Sequence, residues 1–564
     1  MANLAAMLST IAQVDPSHSA AVAALLAVSF HAAVQFVEFE GYMFPFLGAS
    51  ALSWPLLSVF YQGFGNCQLL AGAGKAALVG TTFHATLLAS IAAYRLLFHR
   101  CRQYPGPVGA RVSRLYATYL SSKNVQYHKE LEEMHRQYGD LVRTGPREVT
   151  ILRKSAVDLI YGPKSSCRKS TWYGQTGNDP HKASLHMCRD HDAHRQRRKA
   201  WDKALSVKAL NSYEPQIKAQ VDALIRQLYS HGQVNITDWS MFFAFDLVGQ
   251  VGFSKDFGQL SSGKEHSAIR PIHAHIKLLG IFQTVPWLLY LLSCFPGAAA
   301  TYSEIFDFCA NEIRNKRKVR DKKQAPPDIA SWLCKAFEEK DASAAPSAEA
   351  LEDDSRILLL AGSDTTATTL SQCLYYLVKY PSEQRKIQSL LDAAIPEGPE
   401  AWTFEKARSV TYLDHFISET LRLKPALMLA GPRETPPEGL QIDEVYIPGG
   451  VNVLVPTGQI QRDARYWQQA DEFIPERWGD RKEEMGTDES PYLPFLLGGY
   501  ICPGRYLARH IVRAALSTIL LNFDVSFGPG ETGEAFDKDM LDTFVITLPP
   551  LSLCFTPRGE PRSG

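Results

Sequence analysis

Residues 495–508 read Phe-Leu-Leu-Gly-Gly-Tyr-Ile-Cys-Pro-Gly-Arg-Tyr-Leu-Ala, a run that sets one cysteine, Cys502, among glycines directly before an apolar stripe. Leu507, Ile511, Ala515 and Ile519 recur every four residues, with Val512, Leu516 and Leu520 beside them, as on the buried face of a helix that starts after Pro503. Cys502 therefore stands at a helix N-terminus, where unpaired N–H groups and the positive end of the dipole favour a thiolate, the form that ligates a metal. Gly498 and Gly504 leave room for a flat ligand to come close. A cysteine in a glycine turn is ordinary by itself, so the reading depends on the rest of the chain.

Upstream, residues 357–378 are dense in apolar side chains and free of proline, which predicts a long helix buried on most sides. Its middle holds Ala361, Gly362, Ser363, Asp364, Thr365 and Thr366. Asp and Thr are poor helix-interior residues and costly to bury without partners, so their clustering asks for a chemical reason. Glu419 and Arg422 are three apart, hence neighbours on one helix face. A basic run, His194 to Lys199, reads as a solvated helix face, as a docking patch for an acidic partner, or as anion ligands on its inner side.

The spacing of Phe495, Cys502, Gly504 and Leu507-Ala508 closely resembles the haem-binding loop of the cytochrome P-450 superfamily. The resemblance implies a mainly α fold with small β-sheets, with haem b (iron protoporphyrin IX) between a long central helix and the cysteine loop, and Cys502 as axial thiolate. Residues 361–366 resemble that family's oxygen-activation motif, in which Gly362 would mark a local widening of the helix and Asp364 and Thr365 would relay protons. Glu419 and Arg422 resemble its Glu-x-x-Arg pair, and Phe473, Pro475, Glu476, Arg477 and Trp478 its later segment, with Arg477 completing a structural network. Arg198, four residues after His194 in the aromatic-x-x-x-Arg position, and Arg433, after Gly431-Pro432, resemble propionate ligands. Tyr138 to Pro146 look like the start of the first sheet, and Phe245-Asp246 with Phe257-Gly258 like a mid-domain helix. One position departs: Tyr500 stands where an arginine is usual, so a phenol replaces a positive charge.

The activity so implied is insertion of one atom of dioxygen into a small apolar substrate, with reduction of the other to water. Electrons would come from NADPH-cytochrome P-450 reductase, since no Gly-rich dinucleotide fingerprint opens a strand-helix unit. Similarity to fungal secondary-metabolism members points to a terpenoid, polyketide or alkaloid intermediate. Two alternatives stay open: a haem-thiolate isomerase or dehydratase acting on peroxides, and a non-catalytic haem-binding membrane protein.

The 564 residues carry equal numbers of acidic and basic side chains, so nothing argues for a nucleic-acid partner. Ten cysteines without C-x-x-C or zinc spacing fit a reducing compartment, where the sequon at Asn235 would go unused. Residues 1–104 differ in character from residues 105–564. Segments 20–39, 43–64 and 76–98 are each about long enough to cross a bilayer, the first interrupted by His31, Gln35 and Glu38, the second by Pro45 and Pro55. Arg95, Arg100 and Arg102 follow the third, whereas residues 1–19 lack Lys and Arg. That asymmetry predicts a cytosolic catalytic region and, with three crossings, a luminal N-terminus; the family resemblance implies the endoplasmic-reticulum membrane, with lipid contact. Pro105-Gly106-Pro107 reads as a stiff hinge, residues 338–355 as a surface loop, and residues 276–295 as mostly core with some contact to substrate or lipid.

Overall fold

The computed structural model describes residues 2–35, 37, 39–175, 179–293, 300–429 and 431–559; Glu38 and Phe295 lie outside them. The N-terminal region folds as helices α1 (Ala2–Ala12), α2 (Pro16–Val34), α3 (Met43–Phe64) and α4 (Leu69–Ala93), the last running on through a π turn, Tyr94–Phe98. Asp15 starts α2 by accepting from the Ser17 N–H, with Pro16 in the first helical position. Three helices, Pro16–Val34, Met43–Phe64 and Leu69–Phe98, are long and apolar enough to cross a membrane. Leu25, Leu56 and Leu70 point outward from them, an apolar exterior compatible with anchoring in lipid.

The boundaries differ from the sequence reading. The first segment stops at Val34 and gives way to a 3-10 turn, Phe39–Tyr42, the third begins at Leu69, and α1 was not anticipated. The segment read as a stiff hinge is tied to the body. The Pro105 carbonyl accepts from the Arg143 N–H at 2.7 Å, and Gly106 (φ +155°) lies so close that a Cβ would sit 2.5 Å from the Arg143 carbonyl. Arg95 Nη1 donates to the Val112 carbonyl (2.7 Å) and Arg143 Nη1 to the Arg95 carbonyl (2.9 Å), so the segment is pinned rather than free. The apolar core of the adjoining sheet reaches back to Cys101 and Tyr104.

The body is built around the helix Ala348–Lys379, which packs against helices Ile236–Phe253, Thr411–Leu423 and Arg505–Asn522. It starts earlier than expected because Ser347 caps it, its Oγ accepting from the Ala350 N–H at 3.0 Å, with Glu349 at the positive end of the dipole. Residues 348–355 are thus helix, and only the segment between Glu338 and Ala348 is loop. Asp246 of helix Ile236–Phe253 accepts from the Gln259 and Leu260 N–H groups, and the Phe245 and Phe257 rings lie 5.0 Å apart. Asn235 of the sequon caps that same helix, accepting from the Thr237 N–H.

Opposite the helical core, strands β1 (Leu141–Gly145), β2 (Glu148–Ile151) and β3 (Arg168–Lys169) join strands Arg433–Glu434 and Asn452–Leu454 in a five-stranded sheet. β2 pairs in parallel with Asn452–Leu454, which pairs antiparallel with Arg433–Glu434, which in turn pairs antiparallel with β3. The register sets Lys169 opposite Arg433. A hairpin, Leu541–Thr543 and Val545–Thr547, holds Phe544 at φ +80° at its turn, a strained position for a bulky residue.

Candidate active site

Cys502 closes its loop by donating its N–H to the Phe495 carbonyl at 2.9 Å, while Arg509 covers the Phe495 ring. Gly504 is the N-cap of helix Arg505–Asn522, and a Cβ there would meet only the Cys502 Sγ, at 3.9 Å. Gly498 has a reason beyond the one read in the sequence. Its φ is +61°, and a Cβ would lie 2.5 Å from both the Tyr161 and Gly162 carbonyls, so backbone contact by itself demands glycine. Burial pushes the Cys502 thiol up. The Gly504 and Arg505 N–H groups and the Arg198 and Arg505 charges pull it down but do not win. A metal cation bound at the sulfur would add to these groups and favour the thiolate.

In helix Ala348–Lys379 the run from Thr366 to Val378 is buried, yet Ala361, Gly362, Asp364 and Thr365 in its middle are partly exposed inside the molecule. The helix is α throughout, without the expected widening. Gly362 instead lets helix Ile236–Phe253 approach, since a Cβ would lie 3.0 Å from Val248 Cγ2. Thr365 Oγ1 donates to the Ala361 carbonyl (2.8 Å), which leaves its oxygen lone pairs free to accept. Asp364 faces a cavity of about 860 Å³, in the range of small-molecule sites. The wall also carries Trp172 and Phe544, stacked 5.4 Å apart, and Leu289 and Tyr290 from the apolar stretch at 276–293. Glu265 and His273, hydrogen-bonded to each other, add polarity beside Asp364. Burial raises the Asp364 carboxyl, opposed by His273. Burial pulls His273 down, but its bond to Glu265 and the Asp364, Glu265 and Asp238 charges outweigh that and raise it.

Helix His191–Ala204 sorts its basic run by face. His194, Arg197 and Arg198 point inward, Arg195 and Lys199 outward, so one helix offers an inner basic face and a solvated outer one. Arg198 donates to the Ile501 carbonyl (2.6 Å) and to Asp202 (2.8 Å), tying the cysteine loop to this helix. His194 packs on the Tyr500 ring at 4.7 Å, and burial with the Lys169 and Arg198 charges pushes it down to about 2, so its ring is neutral. The Arg433 guanidinium lies 4.8 Å from the same ring. Tyr500 Oη and Arg433 Nε are buried without a protein partner. Sequence reasoning missed Lys169, whose ammonium lies 5.2 Å from the Tyr500 ring. No local pattern marks it, because strand pairing across the chain brings it there. Buried unpartnered donors close in sequence and space to a cysteine thiol fit a metal macrocycle that carries carboxylates.

Glu419, Arg422 and Arg477 are each 0 % exposed, and every nitrogen and oxygen of their charged groups has a hydrogen-bond partner. Glu419 accepts from Arg422 twice (2.9 Å), Arg477 Nε (3.0 Å), Trp478 Nε1 (3.0 Å) and the Ile474 N–H (2.9 Å). The arginines spend their other donors on the carbonyls of Gln461, Ala470, Glu472, Gln468 and Gln469. This knot binds the helix Thr411–Leu423 to the segment leading to the cysteine loop.

Comparison with known proteins gives the same reading. The family model for cytochrome P-450 matches residues 111–555. A cytochrome P-450 monooxygenase of Eupenicillium brefeldianum is 37 % identical over 87 % of this chain and 99 % of its own length. One of Fusarium pseudograminearum is 35 % identical over 84 % and 85 %. Tryprostatin B 6-hydroxylase of Aspergillus fumigatus is 32 % identical over 81 % and 80 %. With a helical body, small sheets, a helix-capped cysteine loop and these relatives, the chain belongs to the cytochrome P-450 family of haem-thiolate monooxygenases.

Proposed function

We propose that this enzyme oxidises an apolar intermediate of secondary metabolism, a terpenoid, polyketide or alkaloid, while anchored by α2, α3 and α4 in the endoplasmic-reticulum membrane. Its catalytic body, residues 105–564, would face the cytosol and take electrons from NADPH-cytochrome P-450 reductase, with Arg195 and Lys199 on the outer helix face available to an acidic partner. The observation that carries the reading is the largely apolar cavity of about 860 Å³ with Asp364 in its wall. Haem b held by Cys502 would supply the reductive activation of dioxygen, with the thiolate as an electron-rich ligand.

The protein's own groups do the rest. The apolar wall excludes bulk water and sets how the substrate lies, Trp172 and Phe544 forming one flat side. Asp364, its carboxyl raised by burial, holds a proton more readily than a solvated aspartate. The Thr365 hydroxyl, donating backward to Ala361, accepts a hydrogen bond from a water or a protonated group and so positions it. His194, Arg198 and Arg433, gathered around Tyr500 and Ile501 of the cysteine loop, would serve as donors for the haem carboxylates, while Phe495 and Gly504 would shape the loop around Cys502. Glu419, Arg422 and Arg477 fix that loop from behind.

The test is the carbon-monoxide difference spectrum of reduced membranes that carry the wild-type chain, beside Cys502→Ser. A strongly red-shifted Soret band in the wild type alone supports thiolate ligation at Cys502; an unshifted band in both refutes it. Substrate-dependent NADPH consumption with a reductase then separates an oxygenase from a haem-thiolate isomerase or a passive haem carrier.

A further inference from the structure

Lys169 is 4 % exposed, and its ammonium donates to the Leu185 (3.0 Å) and His186 (2.6 Å) carbonyls. Its cross-strand partner Arg433 is 1 % exposed and donates to the Gly431 and Pro432 carbonyls. Both cations lie over the Tyr500 ring, at 5.2 and 4.8 Å. Like charges opposite each other on neighbouring strands repel, and burial removes the water that would screen them. The next rung shows the usual solution: Arg168 faces Glu434, whose carboxylate also takes Arg189. Among the described residues no carboxylate lies within 4.0 Å of Lys169 or Arg433. Burial and the Arg433 charge pull Lys169 well below the ordinary lysine range. Arg198, by contrast, has its own carboxylate in Asp202.

Two buried basic side chains without a carboxylate partner, a buried phenol hydroxyl and a guanidinium Nε without a protein partner call for a dianionic ligand, which would also hold the Lys169 ammonium charged. Building on the haem reading of Cys502, we infer that Lys169 is a haem-propionate ligand that supplies, together with Arg433, the positive charge Tyr500 does not bring. Lys169 and Arg433, the two without a carboxylate of their own, balance two propionates, while Arg198, its charge already met by Asp202, adds a donor only. Tyr500 fills the space between them with its ring and keeps its hydroxyl as a neutral donor.

The test follows haem loss from the full-length, detergent-solubilised holoenzyme to excess apomyoglobin. Lys169→Gln is expected to release haem at least tenfold faster than wild type and Lys169→Arg at nearly the wild-type rate. Adding Tyr500→Arg to Lys169→Gln should restore retention to within about threefold. Reconstituted with the dimethyl ester of haem, wild type and Lys169→Gln should release at equal rates. If Lys169 only braces the Leu185 and His186 carbonyls, Tyr500→Arg gives no rescue and the ester shows the same gap, which overturns the inference. So does a Lys169→Gln holoenzyme as retentive as wild type. Should Lys169→Gln not accumulate, the double variant decides: haem-loaded protein supports the assignment, and failure like that of the single variant overturns it. A wild type without the red-shifted band defeats the Cys502 reading itself, whereas a wild type with the band and an indifferent Lys169→Gln defeats only this inference.

Discussion

Glu419→Gln removes one negative charge from beneath two arginines that no water reaches. Glu419 receives five hydrogen bonds, three of them from Arg422 and Arg477. An amide keeps the shape but turns one acceptor into a donor facing donors, and leaves two guanidinium charges without a counter-ion. Breaking a buried ion pair from one side costs about 3–5 kcal/mol, a large part of the ~5–15 kcal/mol that holds a typical protein folded. At roughly 2 °C per kcal/mol for a large domain, the midpoint of thermal loss of the red-shifted carbon-monoxide band should fall by about 5–10 °C. Glu484→Gln is the internal control. Its partner Arg481 is solvent-exposed, so that pair is worth at most ~1 kcal/mol and the midpoint should move by under about 2 °C. Equal shifts for the two variants would refute the claim that the Glu419 network differs in kind from a surface pair.

Thr365→Ala should retain haem and consume oxygen, yet yield several-fold less product per oxygen; unchanged coupling, measured as product against oxygen uptake, would remove Thr365 from the proton path. Gly498→Ala adds a Cβ at φ +61° against two carbonyls and should cost at least ~2 kcal/mol, seen as loss of haem-loaded protein, with a crystal structure of any stable variant showing the loop displaced from Tyr161. His510 is buried against Phe404, and burial with the Arg513 and Arg408 charges pushes it down to about 4, although Glu214 lies 3.4 Å away. Because the unfolded histidine protonates near 6.5 and the folded one does not, its contribution is intact above pH 6.5 and is lost as pH falls towards 4, roughly 3 kcal/mol in all. Thermal midpoints measured from pH 7 to 5 should therefore fall less steeply for His510→Phe than for wild type.

The parts of the site that were legible are those in which chemistry and spacing coincide along the chain. Cys502 with Gly504, Asp364 with Thr365, and Glu419 with Arg422 each sit within a few residues of one another, and helical periodicity carries them to one face. The cap at Ser347 was equally local, but the acidic, alanine-rich run after it was taken for loop although acids in a first turn favour a helix. Lys169 was illegible for a different reason. Its partners, Leu185, Arg433 and Tyr500, come from three distant segments, and only sheet pairing sets them around it. Gly362 and Gly498 were read as glycines in the right places, but the packing contacts that require them went unread, because a sequence shows that a side chain is missing and not what would have filled its space.

The pinned segment after α4 bears on how such an enzyme meets its partners. A tether of free residues would let the catalytic body tumble above its anchor and present its openings in every direction. Here the Arg95, Pro105 and Gly106 backbone is stitched to β1 through Arg143. With the anchor helices seated in a bilayer, the body would inherit their tilt as a weathervane inherits its post. Collision with a second membrane protein would then be a search in two dimensions, and part of the orientational loss that slows association would be settled when the chain folds.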